Sequence, residues 1–168
     1  MVRVTTLPAV TRFSVRGDDA AADAIGRAFG IGLPREACRA ATGGDRAALW
    51  LGPDEWLLIA PDGEATRLMA AMGEALGPEP ASLVEISDRQ VAIEVAGEKA
   101  AEAINAFNAL DLDIDAFSVG MCTRTLFGKA ETVLWRTAPE TLRMEVWRSF
   151  APYVQGCLGE AIREYGVA

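Results

Sequence analysis

Three aspartates at alternate positions, Asp111, Asp113 and Asp115, have a spacing that resembles a metal-binding motif. An EF-hand loop beginning at Asp111 would need glycine at its sixth position and glutamate at its twelfth, because these residues supply the sharp turn and the bidentate ligand. Ala116 and Cys122 occupy those positions. The spacing therefore predicts a solvated acidic connection rather than a calcium site.

The chain contains no histidine, and its three cysteines, Cys38, Cys122 and Cys157, are far apart in the sequence. Because histidine titrates near neutral pH and is the commonest metal ligand, its absence excludes Ser-His-Asp triads, imidazole bases and histidine-ligated zinc. A thiolate at Cys122 has no histidine to lower its pKa, so we interpret this residue as a buried structural cysteine. The odd number of cysteines favours a reducing compartment over a disulfide framework.

Glycines cluster at Gly30-Ile31-Gly32 and at Gly43-Gly44. A dinucleotide-binding fingerprint needs three glycines between a strand and a helix, so that the backbone can approach a pyrophosphate. Neither cluster has that spacing, and the sequence has no phosphate-binding loop ending in Gly-Lys-Ser/Thr. We therefore expect this chain to bind no cofactor and no metal of its own.

The 168 residues are 51% hydrophobic, with a mean hydropathy of +0.15 and a net charge of −8. An acidic chain disfavours contacts with nucleic acid and with anionic membrane surfaces. No apolar run approaches the roughly 18 residues that suggest a membrane-spanning helix, and residues 1–8 lack the apolar core of a secretory signal. We expect a cytoplasmic protein whose apolar residues form both a core and an interface.

The first half of the chain carries the periodic patterns of a strand, a helix, a hairpin and a second helix. Asp18 is a suitable cap for the first helix, and Gly30 is a suitable stop. The segment 32–46 is predicted to be a loop. The regular elements are a strand over 12–15, a helix between Asp18 and Gly30, a hairpin with arms at 47–51 and 56–60 that are buried on both faces, and a helix over 64–76.

The second half repeats these patterns and ends in a strongly apolar helix. Ser149 can cap that helix, and Pro152 falls in its first turn, where a missing N–H does no harm. Its wide apolar stripe includes Phe150 and Tyr153. The preceding elements are strands at 83–87 and 91–95, a helix from about Glu98, a hairpin with arms at 122–127 and 131–136, and a strand over 142–147.

The order strand–helix–strand–strand therefore occurs twice. We expect an α+β fold in which two similar lobes, at about 10–80 and 81–168, contain antiparallel sheets and form one domain over residues 1–168. The Gly/Pro stretch at 77–80 is the candidate hinge between the lobes.

Four residues are predicted to contact a partner. Trp147 ends the strand over 142–147 on the face opposite its apolar residues, beside Arg143, and Arg148 follows it. An aromatic residue on a polar face beside arginine is typical of an interface anchor. We predict that Trp147, Arg148, Arg143 and Trp56 face a partner; burial in the core is the alternative for the tryptophans.

Several segments together resemble the gamma subunit family of heterotetrameric sarcosine oxidase. The most specific is Trp-Leu-Gly-Pro-Asp-Glu-Trp at residues 50–56, within the matching segment 49–58. The segments 84–89, 117–128 and 148–153 follow in the same order, and the resemblance extends from about Phe13 to Tyr165.

This resemblance implies a non-catalytic subunit of an oxidoreductase complex that converts sarcosine, oxygen and tetrahydrofolate to glycine, 5,10-methylenetetrahydrofolate and hydrogen peroxide. It implies alpha, beta and delta subunits as partners. It also implies that FAD, FMN, NAD and zinc are held by those other subunits, because flavin chemistry needs a protein frame that this sequence does not offer.

A more distant resemblance is to the folate-binding aminomethyltransferases, the T-protein family of glycine cleavage. The segment 85–89, the helix after Gly97 and Asp111-Leu112 before Gly120 follow the order of that family. There an aspartate acts on the folate-bound amine, and Asp111 matches its position. The resemblance implies a T-protein-like folate-binding-domain fold. It also implies an alternative function, that of a stand-alone protein that binds tetrahydrofolate or transfers an aminomethyl group with Asp111 as the catalytic residue.

Overall fold

The computed structural model describes residues 1–165; residues 166–168, at the end of the second predicted lobe, lie outside the described part. The chain forms two compact units, Ala9–Ser87 and a second unit of Met1–Pro8 with the described residues from Asp88 onward. The elements in chain order are β1 (Arg3–Thr6), β2 (Thr11–Gly17), α1 (Asp19–Phe29), β3 (Ala40–Gly43), β4 (Arg46–Gly52), β5 (Glu55–Ala60), α2 (Ala65–Leu76), β6 (Ala81–Glu85), β7 (Gln90–Ala96), α3 (Ala100–Asn105), β8 (Cys122–Phe127), β9 (Ala130–Ala138), β10 (Thr141–Trp147), a 3₁₀ turn (Arg148–Phe150), α4 (Ala151–Ile162) and a second 3₁₀ turn (Arg163–Tyr165).

Each unit contains a five-stranded antiparallel sheet, and four strands of each sheet have the same order; the fifth, an edge strand, is the last strand of the first unit (β6) but the first strand of the second (β1). The order is β3-β4-β5-β2-β6 in the first unit and β8-β9-β10-β7-β1 in the second. Both units follow the chain order strand, helix, three strands, helix. The predicted α+β class with two similar lobes and antiparallel sheets is therefore confirmed.

The first helix forms where the sequence predicts it. The Asp18 carboxylate accepts a hydrogen bond from the Ala21 N–H at 3.0 Å, which satisfies one of the free donors in the first turn. Gly30 ends the helix with φ +89°, a conformation that favours glycine. Ile25 and Phe29 lie on its buried face and pack against the sheet of their unit.

Two strands were not predicted. The segment 32–46, predicted to be a loop, contains β3, whose partly exposed residues pair with β4 from Ala40↔Leu49 to Gly43↔Arg46. At the start of the chain, β1 pairs with β7 through Val4↔Val95. Both are short edge strands of four residues, too short for an alternating pattern to be recognised.

The boundary between the predicted lobes is displaced by a strand. The sequence places the segment 83–87 at the start of the second lobe, whereas β6 pairs with β2 in the first sheet, with Val84 opposite Ser14. The first unit accordingly ends at Ser87. The pattern of a strand identifies the strand but not its partner, because pairing is decided by contacts that are distant in sequence.

The predicted cap of the closing helix is wrong. Ser149 lies within a 3₁₀ turn, the residue before α4 is Phe150, and no side chain caps this helix. The Arg148 N–H donates to the Arg89 carbonyl at 2.9 Å, which holds the start of the 3₁₀ turn to the residue before β7. Pro152 lies in the first turn of α4 as predicted. The buried stripe of α4 is narrower than predicted, since Phe150 and Tyr153 are exposed.

The core of each unit lies between its sheet and its two helices. In the first unit, Phe13, Trp56 and Leu58 of the sheet pack against Phe29 and Leu68 of the helices. Leu57 and Ile59 are buried as well, so β5 is buried on both faces as predicted. In the second unit the same arrangement is formed by Ile93, Leu134, Met144, Ile104, Val154 and Leu158.

Glu64 connects two elements of the first unit through ion pairs. Its carboxylate oxygens lie 2.8 Å from Arg67 Nη2 and 2.7 Å from Arg46 Nη2. Arg46 also donates to the Phe29 carbonyl at the end of α1. The hydrogen bond from Arg67 is the largest cause that holds the pKa of Glu64 below its usual value. Desolvation acts in the opposite direction, and the hydrogen bond from Arg46 lowers the pKa further.

We predict that Glu64→Gln removes a pH-dependent part of the stability. A carboxyl group whose pKa is lower in the folded state stabilises the fold above its unfolded pKa, and this contribution disappears as the pH falls through the folded-state pKa. The wild type should therefore lose stability more steeply than the variant between about pH 6 and pH 3, as measured by urea unfolding. The control is Glu79→Gln, at an exposed glutamate, which should leave the pH dependence of stability unchanged. If the wild type and Glu64→Gln have identical pH profiles of stability, the role given to Arg46 and Arg67 is wrong.

Candidate functional site

Asp111 lies in a pocket of about 370 Å³ in the second unit. The Asp111 side chain accepts a hydrogen bond from the Asp113 N–H at 2.9 Å, and Asp113 accepts one from the Asp115 N–H at 2.9 Å. The predicted acidic connection thus contains two successive turns, in which the Asp111 and Asp113 carboxylates accept from the backbone N–H two residues further along the chain. The pocket is lined by five carboxylate side chains: Glu98, Glu102, Asp111, Asp113 and Glu140.

Arg136 is the basic side chain in the lining of this pocket, and it is almost completely buried. Its guanidinium donates to the carbonyls of Leu112 and Pro139, which belong to opposite parts of the pocket lining. Burial lowers the pKa of Arg136, and the nearby Asp113 carboxylate opposes that effect. An arginine with these contacts is a structural tie that stays charged near neutral pH.

The charge of its lining determines which ligands this pocket favours. Five carboxylates facing one guanidinium favour a cationic group over an anion. Among residues 1–165, no group of three or more histidine, cysteine, aspartate or glutamate side chains is arranged to hold a metal ion. Of the three aspartates singled out in the sequence, Asp111 and Asp113 line this pocket.

Trp56 is not on the surface, contrary to the prediction that it contacts a partner. Its side chain is 1% exposed and belongs to the core of the first unit. The indole Nε1 donates to the Pro34 carbonyl at 2.8 Å, and the Arg35 guanidinium lies 5.4 Å from the ring centroid. A buried tryptophan needs such an acceptor, and the loop before β3 supplies it.

Arg143 is also largely buried, so it does not present the polar surface that alternation predicts. Its Nε donates to Glu145 at 2.8 Å, and Glu145 itself is 1% exposed. These two residues and Trp147 alternate on the predicted face of β10, but most of that face is covered. The alternation in the sequence correctly predicted which residues share this face of β10, but the prediction that the face is exposed to solvent was wrong for Arg143 and Glu145.

Trp147 and Arg148 are exposed, at the end of β10. Trp147 is 42% exposed, and the Arg89 guanidinium lies 5.0 Å from its ring centroid. Arg148 Nη2 lies 3.5 Å from an Asp88 carboxylate oxygen in an exposed pair. Of the four residues predicted to face a partner, these two are accessible to one.

Trp147 lines a second pocket, of about 250 Å³, which we call the Trp147 groove: Leu126, Lys129, Glu131, Trp147 and Phe150. Sequence analysis did not identify Leu126 or Lys129 as site residues, and it assigned Phe150 to a buried stripe. Alternation in the hairpin arm 122–127 places Leu126 on the same side as the charged Arg124, and this pattern could have indicated that Leu126 is exposed. No signal in the sequence shows that residues of β8, β9, β10 and the following 3₁₀ turn meet there.

The glycine clusters have structural roles. Gly30 ends α1, and Gly44, with φ +58°, forms the tight turn between β3 and β4. Neither lies between a strand and a following helix, the position at which a dinucleotide-binding loop presents its backbone to phosphate. No helix among the described residues is long and apolar enough to span a membrane.

Comparison with known proteins gives one consistent family. The model of the "Sarcosine oxidase, gamma subunit family" matches residues 14–164. The sarcosine oxidase subunit gamma of Corynebacterium sp. (strain P-1) is 32% identical over 143 residues, which are 84% of this chain and 70% of that protein. A chain of the heterotetrameric sarcosine oxidase from Corynebacterium sp. U-96, in complex with pyrrole 2-carboxylate, superposes with a TM-score of 0.92 and 28% identity, covering 99% of this chain and 86% of that one.

A more distant structural likeness concerns the fold alone. The glycine cleavage system aminomethyltransferase T from Bartonella henselae superposes with a TM-score of 0.72 and 10% identity. The superposition covers 94% of this chain but 45% of that protein. The predicted resemblance of the fold to the T-protein is therefore confirmed.

Proposed function

The chain belongs to the sarcosine oxidase gamma subunit family, and from this premise we propose that it is a structural subunit of a heterotetrameric sarcosine oxidase. The observation that carries the proposal is the likeness to a chain of that complex over nearly the whole length of this one. The complex would oxidise sarcosine with oxygen and transfer the one-carbon unit to tetrahydrofolate, giving glycine, 5,10-methylenetetrahydrofolate and hydrogen peroxide. Its partners would be the alpha, beta and delta subunits, in the cytoplasm.

The residues of this chain support an assembly role rather than a catalytic one. It has no histidine, its glycines end a helix and form a turn, and Asp111 is held by backbone. FAD, FMN, NAD and zinc would accordingly be held by the other subunits, where they supply the redox and structural chemistry. Trp147 and Arg148 are the predicted interface residues that remain exposed.

Co-expression with the alpha, beta and delta subunits tests this proposal. With all four chains present, this chain should co-elute with the flavin-containing subunits in size-exclusion chromatography at one copy per complex. The purified chain alone should show no sarcosine-dependent formation of hydrogen peroxide. Failure to co-elute, or turnover by the isolated chain free of flavoprotein, would refute the proposal.

The alternative function, binding of tetrahydrofolate by the chain itself, rests on the position of Asp111 in a pocket. The five carboxylates of that pocket repel the anionic glutamate tail of a folate, which favours the structural role. We therefore predict that calorimetric titration of the chain with tetrahydrofolate gives no heat of binding. Binding that disappears in Asp111→Ala but persists in the exposed control Asp62→Ala would establish the alternative instead.

A further inference from the structure

The Trp147 groove concentrates the exposed apolar surface of the chain. Eight large hydrophobic side chains are exposed among the described residues: Met1, Val84, Ile114, Val119, Leu126, Trp147, Phe150 and Tyr153. Three of these line the groove, and Tyr153 contacts the turn that carries its Lys129. Exposed apolar residues that are scattered singly need no explanation, but a cluster with a concave shape marks a binding surface.

The walls of the groove are fixed by contacts within the second unit. The Arg89 guanidinium stacks on Trp147, and the Arg148 N–H donates to the Arg89 carbonyl at 2.9 Å. On the other side, the Lys129 N–H donates to the Tyr153 hydroxyl at 3.2 Å, which ties the turn between β8 and β9 to α4. A site that is already formed loses little conformational entropy on binding.

The rim of the groove is basic, although the chain as a whole carries a net charge of −8. Lys129 lines the groove, while Arg89 and Arg148 flank Trp147. Two carboxylates lie among these cations: Glu131 Oε1 is 3.7 Å from Arg124 Nε, and Asp88 Oδ1 is 3.5 Å from Arg148 Nη2. With Arg124 included, the basic side chains around the groove still outnumber the acidic ones, four to two. A positive rim around apolar anchors attracts a partner surface of the opposite sign.

We propose that the Trp147 groove docks an acidic segment of a partner subunit that inserts an apolar side chain between Leu126, Trp147 and Phe150. Carboxylates flanking that side chain would face Arg89, Arg148 and Lys129. A second copy of this chain is a poor occupant, because an isologous contact would bring the same basic rims together. Nucleic acid is disfavoured by the net charge of the chain and by the apolar floor. This inference rests on the proposed function and names the surface that it uses.

The test compares groove variants with matched controls in the co-expressed complex. Trp147→Ala and Leu126→Ser remove apolar anchors. Their control is Val119→Ser, at a position of the second unit that is 46% exposed and lines neither pocket. Lys129→Glu/Arg148→Glu reverses the charge of two basic side chains at the rim. Arg3→Glu/Arg163→Glu, at two exposed positions away from the groove, changes the net charge by the same amount and is the control. The dissociation constant of the tagged chain from the remaining subunits is measured at low and high salt.

We expect Trp147→Ala to raise the dissociation constant roughly tenfold or more, because aromatic anchors dominate interface energy. Charge reversal should weaken binding at low salt and remove most of the salt dependence seen in the wild type, and both controls should bind normally. If the wild type assembles and the groove variants assemble equally well, the docking surface lies elsewhere and the proposed function stands. If the wild type itself does not assemble, the proposed function fails.

Discussion

Replacing Ile93 with alanine should lower the free energy of unfolding by about 2–5 kcal/mol, the usual cost of truncating a fully buried aliphatic side chain. Ile93 is fully buried, in the middle of β7, where it lies opposite Thr6 of β1 and Met144 of β10. Its side chain belongs to the core between the sheet and the helices of the second unit. Truncation therefore leaves a cavity that neighbouring strands cannot close without losing register.

The matched control for Ile93 is the same substitution at an exposed position. Ile114→Ala removes the same atoms from a side chain that is 42% exposed, so we expect a change within about 0.5 kcal/mol. Leu57→Ala, in the first unit, should resemble Ile93→Ala, because Leu57 is 2% exposed. Urea unfolding followed by circular dichroism gives the change in unfolding free energy for all three variants, with the same dependence on urea concentration (m value) used for each. Equal costs for the two isoleucines would contradict the burial that assigns Ile93 to the core.

Gly97→Ala should be the most disruptive single-methyl substitution in the second unit. Gly97 has φ +130°, and a Cβ at this position would lie 2.1 Å from the Met1 carbonyl oxygen. The strained backbone costs about 1–3 kcal/mol, and the clash adds the loss of pairing between β1 and β7. Because β1 covers one edge of β7, its displacement also exposes an unpaired strand edge, which favours aggregation.

Two variants separate these contributions to the effect of Gly97→Ala. Gly63→Ala places a side chain at φ +80° with nothing within 4 Å, so it reports backbone strain without a clash. Starting the chain one residue later, with the initiator methionine in place of Val2, removes the clashing Met1 carbonyl in the Gly97→Ala background and should restore part of the lost stability, as a double-mutant cycle would show. If Gly63→Ala costs as much as Gly97→Ala, the contact with Met1 is not the cause.

The two concave features of the second unit differ in what they can do. The pocket around Asp111 is acidic, and its buried Arg136 is engaged by carbonyls of the pocket lining. The Trp147 groove is apolar with a basic rim, and its aromatic wall is exposed. The groove has three exposed apolar side chains, Leu126, Trp147 and Phe150, beside charged ones, which is the composition of a protein–protein interface. This difference supports the Trp147 groove as the surface used in the proposed assembly role.

Local signals in the sequence were sufficient for most elements. The cap at Asp18 and the stop at Gly30 bound a helix whether or not the rest of the chain is present, because each acts through hydrogen bonds or backbone angles within a few residues. The two hairpins and the alternation of β10 were predicted for the same reason. The absence of histidine and the Trp-Leu-Gly-Pro-Asp-Glu-Trp segment likewise required no structure to interpret.

Features that depend on distant contacts required the tertiary structure. The strands β1 and β3 exist only because β7 and β4 pair with them, and β6 joins the first sheet through β2. The cap predicted at Ser149 fails because a turn held by the Arg89 carbonyl precedes α4. Such pairings join residues that are far apart in sequence, and periodicity within one segment contains no information about them.

The sequence by itself determined the class of the fold, the family and the residue types available for chemistry. The tertiary structure alone decided which side chains reach the surface. Trp56 is the second residue of β5 and Trp147 the last of β10, yet Trp56 is buried with its indole N–H bonded to the Pro34 carbonyl, and Trp147 remains exposed beside Arg89. Alternation assigns a side chain to a face of a sheet, but whether that face is covered depends on elements that pack against it from elsewhere in the chain.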